Sequence, residues 1–304
     1  SVAWTDVTQG VILLISLGFI AFALFFHLGG PVGVTEELNR ARPQIGRPPD
    51  ITQKITWLSS ILLFFFGPSM YPHAVQRIYI ARNEKTLRRS FQLMAFMPLF
   101  TTFFLVLLGI MAISIFPGLE NTESDRTILF MIGELTNEFP AFIVMGPVLI
   151  AAVIAATMST IDSALLSISS MITNDLYRLK FPKATNKTLT RVGKVSSITI
   201  MTLVVIFTIQ WQDETIWRLL EVKLEVLAQI APALMLGIQI KKIGAYPIFI
   251  GALFGVCVAV YLALGVGPKP LGVHAGIWGL GANVLVVTIV SMLTSRMKLK
   301  RQAD

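Results

Sequence analysis

AAVIAATMSTIDSALLSISSMITNDLYR, residues 151–178, opens as an apolar run and then sets Ser159, Thr160, Asp162, Ser163 and Ser167 along the same helical pattern. Hydrocarbon offers no partner to a carboxylate or a hydroxyl, and a charge at the bilayer centre costs a few kcal/mol or more. Such groups face the interior of a helix bundle. The stretch therefore points to an all-α polytopic membrane protein with one span lined for something other than lipid.

Composition agrees. The 304 residues are 54% hydrophobic and 14% charged, with mean hydropathy +0.73; soluble domains carry about 25% charged residues. Eight apolar runs lie near 8–26, 55–71, 92–116, 141–172, 190–210, 215–239, 245–265 and 274–294, most close to the ~20 residues of a bilayer-crossing helix. The polar stretches between them are short, so residues 1–304 read as one membrane domain. The lone Cys257 lies in an apolar run and builds no disulfide framework. The net charge of +8 is not read as a nucleic-acid footprint, because the cations cluster between apolar runs. Residues 1–10, SVAWTDVTQG, carry no basic start, cleavage site or initiating methionine. The chain is thus expected to be a fragment or a processed product.

The cations set an orientation. Arg77, Arg82, Lys85, Arg88 and Arg89 follow the second run; Arg178, Lys180, Lys183, Lys187 and Arg191 follow the fourth. Lys241 and Lys242 follow the sixth, and Arg296, Lys298, Lys300 and Arg301 the eighth. Alternate loops carry Glu120, Glu123, Asp125, Glu134 and Glu138, then Asp213 and Glu214. Basic loops face the cytoplasm, which puts both termini there, in a bacterial inner (plasma) membrane. The loop at 28–54 is mixed, and its TEELNRA segment reads as a short surface helix.

At 100° per residue, Ala156, Ser159, Thr160, Ser163 and Ser167 fall within an arc of about 100°, and Asp162 lies roughly 60° beyond Ser159. Two readings stand. Small residues and serines make a close helix–helix interface, which suits Ala151, Ala152, Ala155 and Ser169 but not Asp162. Alternatively the Ala156 carbonyl and the Ser159 and Thr160 hydroxyls supply three oxygens from one turn, the ligand type a hard cation such as Na⁺ takes. Three are too few, so a second helix must complete the shell.

At MSTIDS (Met158–Ser163) the pattern resembles the sodium:solute symporter family, with its LeuT-like inverted-repeat fold. VAWTDVTQG (Val2–Gly10) resembles the start of the family's fifth core helix. PHAVQRIYIARNEKTLRRS (Pro72–Ser90) resembles the end of the sixth, and LAQIAPALMLGI (Leu227–Ile238) the tenth. The resemblance implies that the chain is the C-terminal part of a transporter domain, core helices five to twelve, without the broken first helix. It implies a common sodium site at Ala156, Ser159 and Thr160. It implies a second cation site, found in some members, at Asp6, Asp162 and Ser163. Position 162 is often serine in those members; two carboxylates there would hold a cation more tightly or retain a proton. Asp6 reads equally well as a helix N-cap.

The second run, ITWLSSILLFFFGPSMYPHAVQRIYI, is interrupted by Gly67, Pro68 and Pro72. Proline removes a backbone donor and kinks a helix, and discontinuous helices mark binding sites in inverted-repeat transporters. By the resemblance, solute lies beside the break, with Phe66, Ser69 and Met70 as candidates and Tyr71 behind them. In WRLLEVKLEVLAQIAP, Glu221, Lys223 and Glu225 read as an interfacial cluster satisfied by its neighbours, as an outer gate, or, for Lys223, as a cation attracting an anionic solute. Gln229 is a candidate for lining the cavity. His27, His73 and His274 read as residues of span ends. No phosphate loop, zinc spacing or nucleophile–base pair marks an enzyme.

The expected function is secondary transport: Na⁺ entry drives uptake of a small organic solute, a carboxylate or an amino acid. MYPHAVQR resembles carboxylate-type bacterial members more than sugar carriers, and Lys223 leans the same way. The alternative is a membrane sensor or scaffold of a signalling protein; a channel is the third. Expected partners are the solute, Na⁺ and the bilayer, with no nucleic acid; oligomeric state is left open.

Overall fold

The computed structural model describes the backbone of residues 2–79, 81–240 and 243–303, and side chains over that length except at 2–6, 76–77 and 295–303. The described residues form helices and no strand. In chain order the helices are α1 (Val2–His27), α2 (Gly30–Ala41), α3 (Ile51–Phe66), α4 (Pro72–Tyr79), α5 (Glu84–Ile115) and α6 (Thr127–Glu138). They continue with α7 (Phe142–Met171), α8 (Arg178–Lys180), α9 (Asn186–Gln210), α10 (Ile216–Leu227), α11 (Ala231–Gln239), α12 (Ala245–Tyr261) and α13 (Ala275–Ala303).

Local chemistry starts several of them. Asp50 and Gln53 cap α3 reciprocally: Gln53 N–H donates to Asp50 Oδ1 (2.7 Å) and Asp50 N–H to Gln53 Oε1 (2.9 Å). Asn83 Oδ1 caps α5 by accepting from Thr86 N–H (2.8 Å), and Thr185 caps α9. The expected TEELNRA helix lies within α2.

Among the described residues, six helical segments are long and apolar enough to cross a bilayer: Val7–His27, Glu84–Ile115, Phe142–Lys180, Asn186–Gln210, Ala245–Val266 and Ala275–Thr294. They match six of the eight expected runs. The runs near 55–71 and 215–239 are each divided instead. α3, with 16 residues, reaches only about 24 Å against a hydrocarbon core of about 30 Å. It ends at Gly67–Pro68, a turn of 3-10 helix covers Pro68–Met70, and Pro72 opens α4. α10 gives way to a 3-10 turn at Ala228–Ile230 before Pro232 starts α11. In both places a proline leaves the preceding carbonyls without their helical donor.

The chain divides into two compact units, Ser1–Arg47 with Gln76–Thr215, and Pro48–Val75 with Ile216–Asp304. The first packs α1, α2, α5, α6 and α7 around Ile20, Leu24, Leu108, Met111, Met131, Leu135, Phe142 and Leu149. Phe19 and Phe142 meet ring to ring at 5.5 Å. α9 buries none of its residues; a span so apolar is compatible with hydrocarbon on its open faces.

In the second unit α3 meets α10 through Leu63, Leu224 and Ala228. α12 and α13 approach through glycines: a Cβ at Gly255 would lie 2.4 Å from Gln229 Oε1, 2.8 Å from Asn283 Cβ and 3.0 Å from the Gly279 carbonyl. Small residues allow such contact where no hydrophobic force drives helices together. Gly279, the first residue of the GLGA stretch at 279–282, thus serves packing. Gly255→Ala is expected to cost about 1–3 kcal/mol through overpacking, seen as a lower Tm of the detergent-purified protein. Gly281→Ala, with open space at its Cβ, should leave Tm unchanged or slightly higher.

Candidate functional site

The polar stripe sits in the first unit, on α7. The turn from Ala156 to Thr160 is helical, so one carbonyl and two hydroxyls stand on adjacent positions of a single face. Thr160 Oγ1 donates to the Ala156 carbonyl at 2.9 Å. This back-bond spends the hydroxyl proton inside the helix and leaves the Thr160 lone pairs to serve as ligands. Ala156 and Ser159 are half-buried, and Thr160 is exposed. Carbonyl and hydroxyl oxygens without a carboxylate suit a hard monovalent cation. They do not suit a softer metal, which takes sulfur or imidazole.

Asp162 is exposed and Ser163 half-buried on the same helix. The Asp6 side chain lies outside the described residues, so its pairing with Asp162 and Ser163 stands as an expectation. Ser167 and Ser169 are buried, as a packing role for that end of the stripe requires. Directly after α7 the helix widens into a π turn, Ile172–Tyr177. The first unit also ties His27 Nδ1 to Glu138 Oε2 at 2.6 Å, at the far end of α1.

The solute candidates lie in the second unit, around the break. Phe66 packs against Leu63, Leu224 and Ala228, and Met70 is buried. Ser69 is exposed, and its Oγ donates to the Phe65 carbonyl (2.9 Å). Its hydroxyl is thus bonded within its own chain segment and not held against another side chain. Tyr71 and His73 stack at 5.1 Å. Lys223 Nζ stands 5.2 Å over the Tyr71 ring, a cation–π contact worth about 0.5–2 kcal/mol. Gln229 lies deeper: it is 1% exposed, and its nitrogen donates to the Glu225 carbonyl (3.0 Å) and the Gly276 carbonyl (2.9 Å). This amide ties α10 to α13.

A buried polar cluster lies at the other end of α10. Glu221, 3% exposed, accepts from Trp217 Nε1 (2.9 Å) and Lys269 Nζ (2.8 Å), with His274 Nε2 at 3.3 Å and Arg218 at 3.6 Å. Arg218 also donates to the Ala263 carbonyl (3.1 Å). Glu225, 1% exposed, has neither carboxylate oxygen hydrogen-bonded among the described residues. Its counter-charges are Arg218 and Lys269, shared with Glu221. Two carboxylates thus face two cations. The cluster reading of Glu221 is the one the contacts match. Lys223 stands apart from it on Tyr71. His274 stands at the start of a span, as expected, and is buried there: it is 1% exposed and bonded to Ser59 and Glu221. Its span-end position hid this, because Ser59 lies 215 residues away. The one available signal was the density of titratable groups in the run 217–225.

Known proteins are similar to this chain in sequence and in fold. A sequence model of the sodium:solute symporter family matches residues 1–257. Three Bacillus subtilis proteins are similar over 97% of the chain: the symporter YhjB at 26% identity, the osmoregulated proline transporter OpuE at 26%, and the high-affinity proline transporter PutP at 27%. The chain spans 62%, 60% and 61% of their respective lengths. Among solved structures, a Na⁺-coupled sialic acid symporter in a substrate-bound outward-open state shares the fold. Its TM-score is 0.65 at 22% identity, over 96% of this chain and 62% of that one.

The two kinds of ion pair predict opposite costs. Glu221→Ala removes the buried acceptor of Trp217 and Lys269 and leaves Arg218 and Lys269 facing Glu225 alone, at about 3 kcal/mol. Glu84→Ala removes an exposed pair with Arg88, worth about 0–1 kcal/mol. Thermal unfolding of the two variants beside the parent checks the contrast.

Proposed function

The chain belongs to the sodium:solute symporter family, and from that premise we propose that the whole protein couples Na⁺ entry to the uptake of a small organic solute. The observation that carries the reading is the turn on α7. It presents the Ala156 carbonyl and the Ser159 and Thr160 hydroxyls on one helical face. Neutral oxygens of this kind attract an alkali cation without trapping it. A cargo ion must be able to leave.

The Ala156 carbonyl and the Ser159 and Thr160 hydroxyls hold the cotransported Na⁺. Asp6, Asp162 and Ser163 form a second cation site, taking Na⁺ or a proton. The solute meets Phe66, Ser69 and Met70 at the broken helix, where the interrupted backbone frees carbonyls and amides for a polar ligand. Gln229 supports this region through its hydrogen bonds to Glu225 and Gly276.

The driving force is adequate. One Na⁺ moving down 100 mV releases about 2.3 kcal/mol, and a tenfold gradient adds about 1.4 kcal/mol. Together they support roughly 500-fold accumulation of a neutral solute. Ion binding favours the outward-open conformer, and ion plus solute permit closure, a shift of populations without covalent chemistry.

The solute is a compact carboxylate or a zwitterionic amino acid. Proline, the solute named for two of the relatives, carries the carboxylate this reading calls for, and Lys223 adds a nearby cation. The protein resides in a bacterial inner membrane with both ends of this chain cytoplasmic, in accord with the alternating basic loops.

The test uses the full-length protein in vesicles with an imposed Na⁺ gradient and labelled proline. Expected is saturable, Na⁺-dependent accumulation. Ser159→Ala with Thr160→Ala should raise the Na⁺ concentration for half-maximal uptake at least tenfold. Uptake indifferent to both substitutions would overturn the ion assignment, and solute-dependent signalling without uptake would favour a sensor.

A further inference from the structure

We propose that Glu221, His274 and Ser59 form a positioning clamp that sets the direction of α3, and through it the placement of the break at Gly67–Met70. The clamp rests on geometry alone; its effect on solute rests on the transport reading above.

His274 lies on the segment that joins α12 to α13, outside both helices. Its backbone N–H donates to Ser59 Oγ at 2.9 Å, and its Nδ1 contacts the same hydroxyl. Its Nε2 faces Glu221 Oε1 at 3.3 Å. The hydrogen bonds assign the protons. The Glu221 carboxylate only accepts, so Nε2 carries a proton and donates to it; in the neutral ring Nδ1 then accepts from the Ser59 hydroxyl. Ser59, His274 and Glu221 thus form one directed chain from α3 through the α12–α13 connection to α10.

The same α10 touches α3 a second time, nearer the break. Leu224, one turn beyond Glu221, is fully buried against Leu63. A Cβ at Gly67 would stand 2.8 Å from Leu224 Cδ2, so α10 presses on the break itself. One contact leaves a helix free to pivot, whereas two levels fix its direction. The apolar level at Leu63–Gly67 supplies burial. The polar level at Ser59 supplies angle, because hydrogen bonds to one serine oxygen also fix the rotation of α3 about its axis. An apolar filling of the Ser59 level would pack as tightly but would not define that rotation.

The test compares the full-length protein with Ser59→Ala, which breaks the chain, and Ser59→Thr, which keeps the hydroxyl. Hydrogen exchange is followed in nanodiscs without added Na⁺ or solute. Ser59→Ala should speed exchange about tenfold within 55–70, with 190–210 unchanged and Ser59→Thr close to the parent. In the uptake assay Ser59→Ala should raise the KM for proline at least fivefold while the maximal rate stays within twofold. Unchanged exchange at 55–70, or loss of protection in both units together, overturns the clamp. Parent protein that takes up no proline refutes the transport reading, and the exchange data still decide the clamp.

Discussion

Within hydrocarbon, water is absent and every backbone N–H and C=O must find its partner in the chain. That constraint makes all the described elements helical, and it makes their two interruptions informative. Pro68 and Pro232 each remove a donor that a bilayer cannot replace. The chain responds with short 3-10 turns, and polar side chains at both places bond nearby carbonyls: Ser69 bonds Phe65, and Gln229 reaches back to Glu225.

The two units meet the same constraint in different ways. In the first, long unbroken helices pack through aliphatic and aromatic side chains, and the polar stripe of α7 is a local feature of one face. In the second, helices are shorter and packing is closer, with glycines and buried amides in place of large side chains. A buried set of two carboxylates and two cations is costly to assemble in a membrane protein. Its benefit is directional: hydrogen bonds hold α3, α10 and the start of α13 in one arrangement among the many that apolar packing would permit.

Much of this was legible from residues alone. Apolar length gave eight runs, of which six hold as spans, and the break in the second followed from Gly67, Pro68 and Pro72; the division of the sixth at Ala228–Ile230 was not read from the sequence. The oxygen-bearing turn of α7 followed from helical periodicity, since Ala156, Ser159 and Thr160 share a face wherever the helix packs. The role of His274 was not legible, because it depends on Ser59 across the whole second unit and no local pattern joins them. Gln229 was placed on the right helix, but its two carbonyl partners belong to tertiary packing. Asp6 and Asp162 stand as sequence proposals, joined by resemblance to a family pattern that the described geometry does not test.

The seam between α12 and α13 carries a consequence for descent. With Gly255 set against Gln229 and Asn283, and Gly279 against the Gly255 carbonyl, volume on one helix is already claimed by the other. Neither partner can accept a bulkier residue until its opposite has surrendered space. The two helices are therefore bound to diverge in step, by paired replacements, while α9, which buries none of its residues in this chain, carries no such coupling.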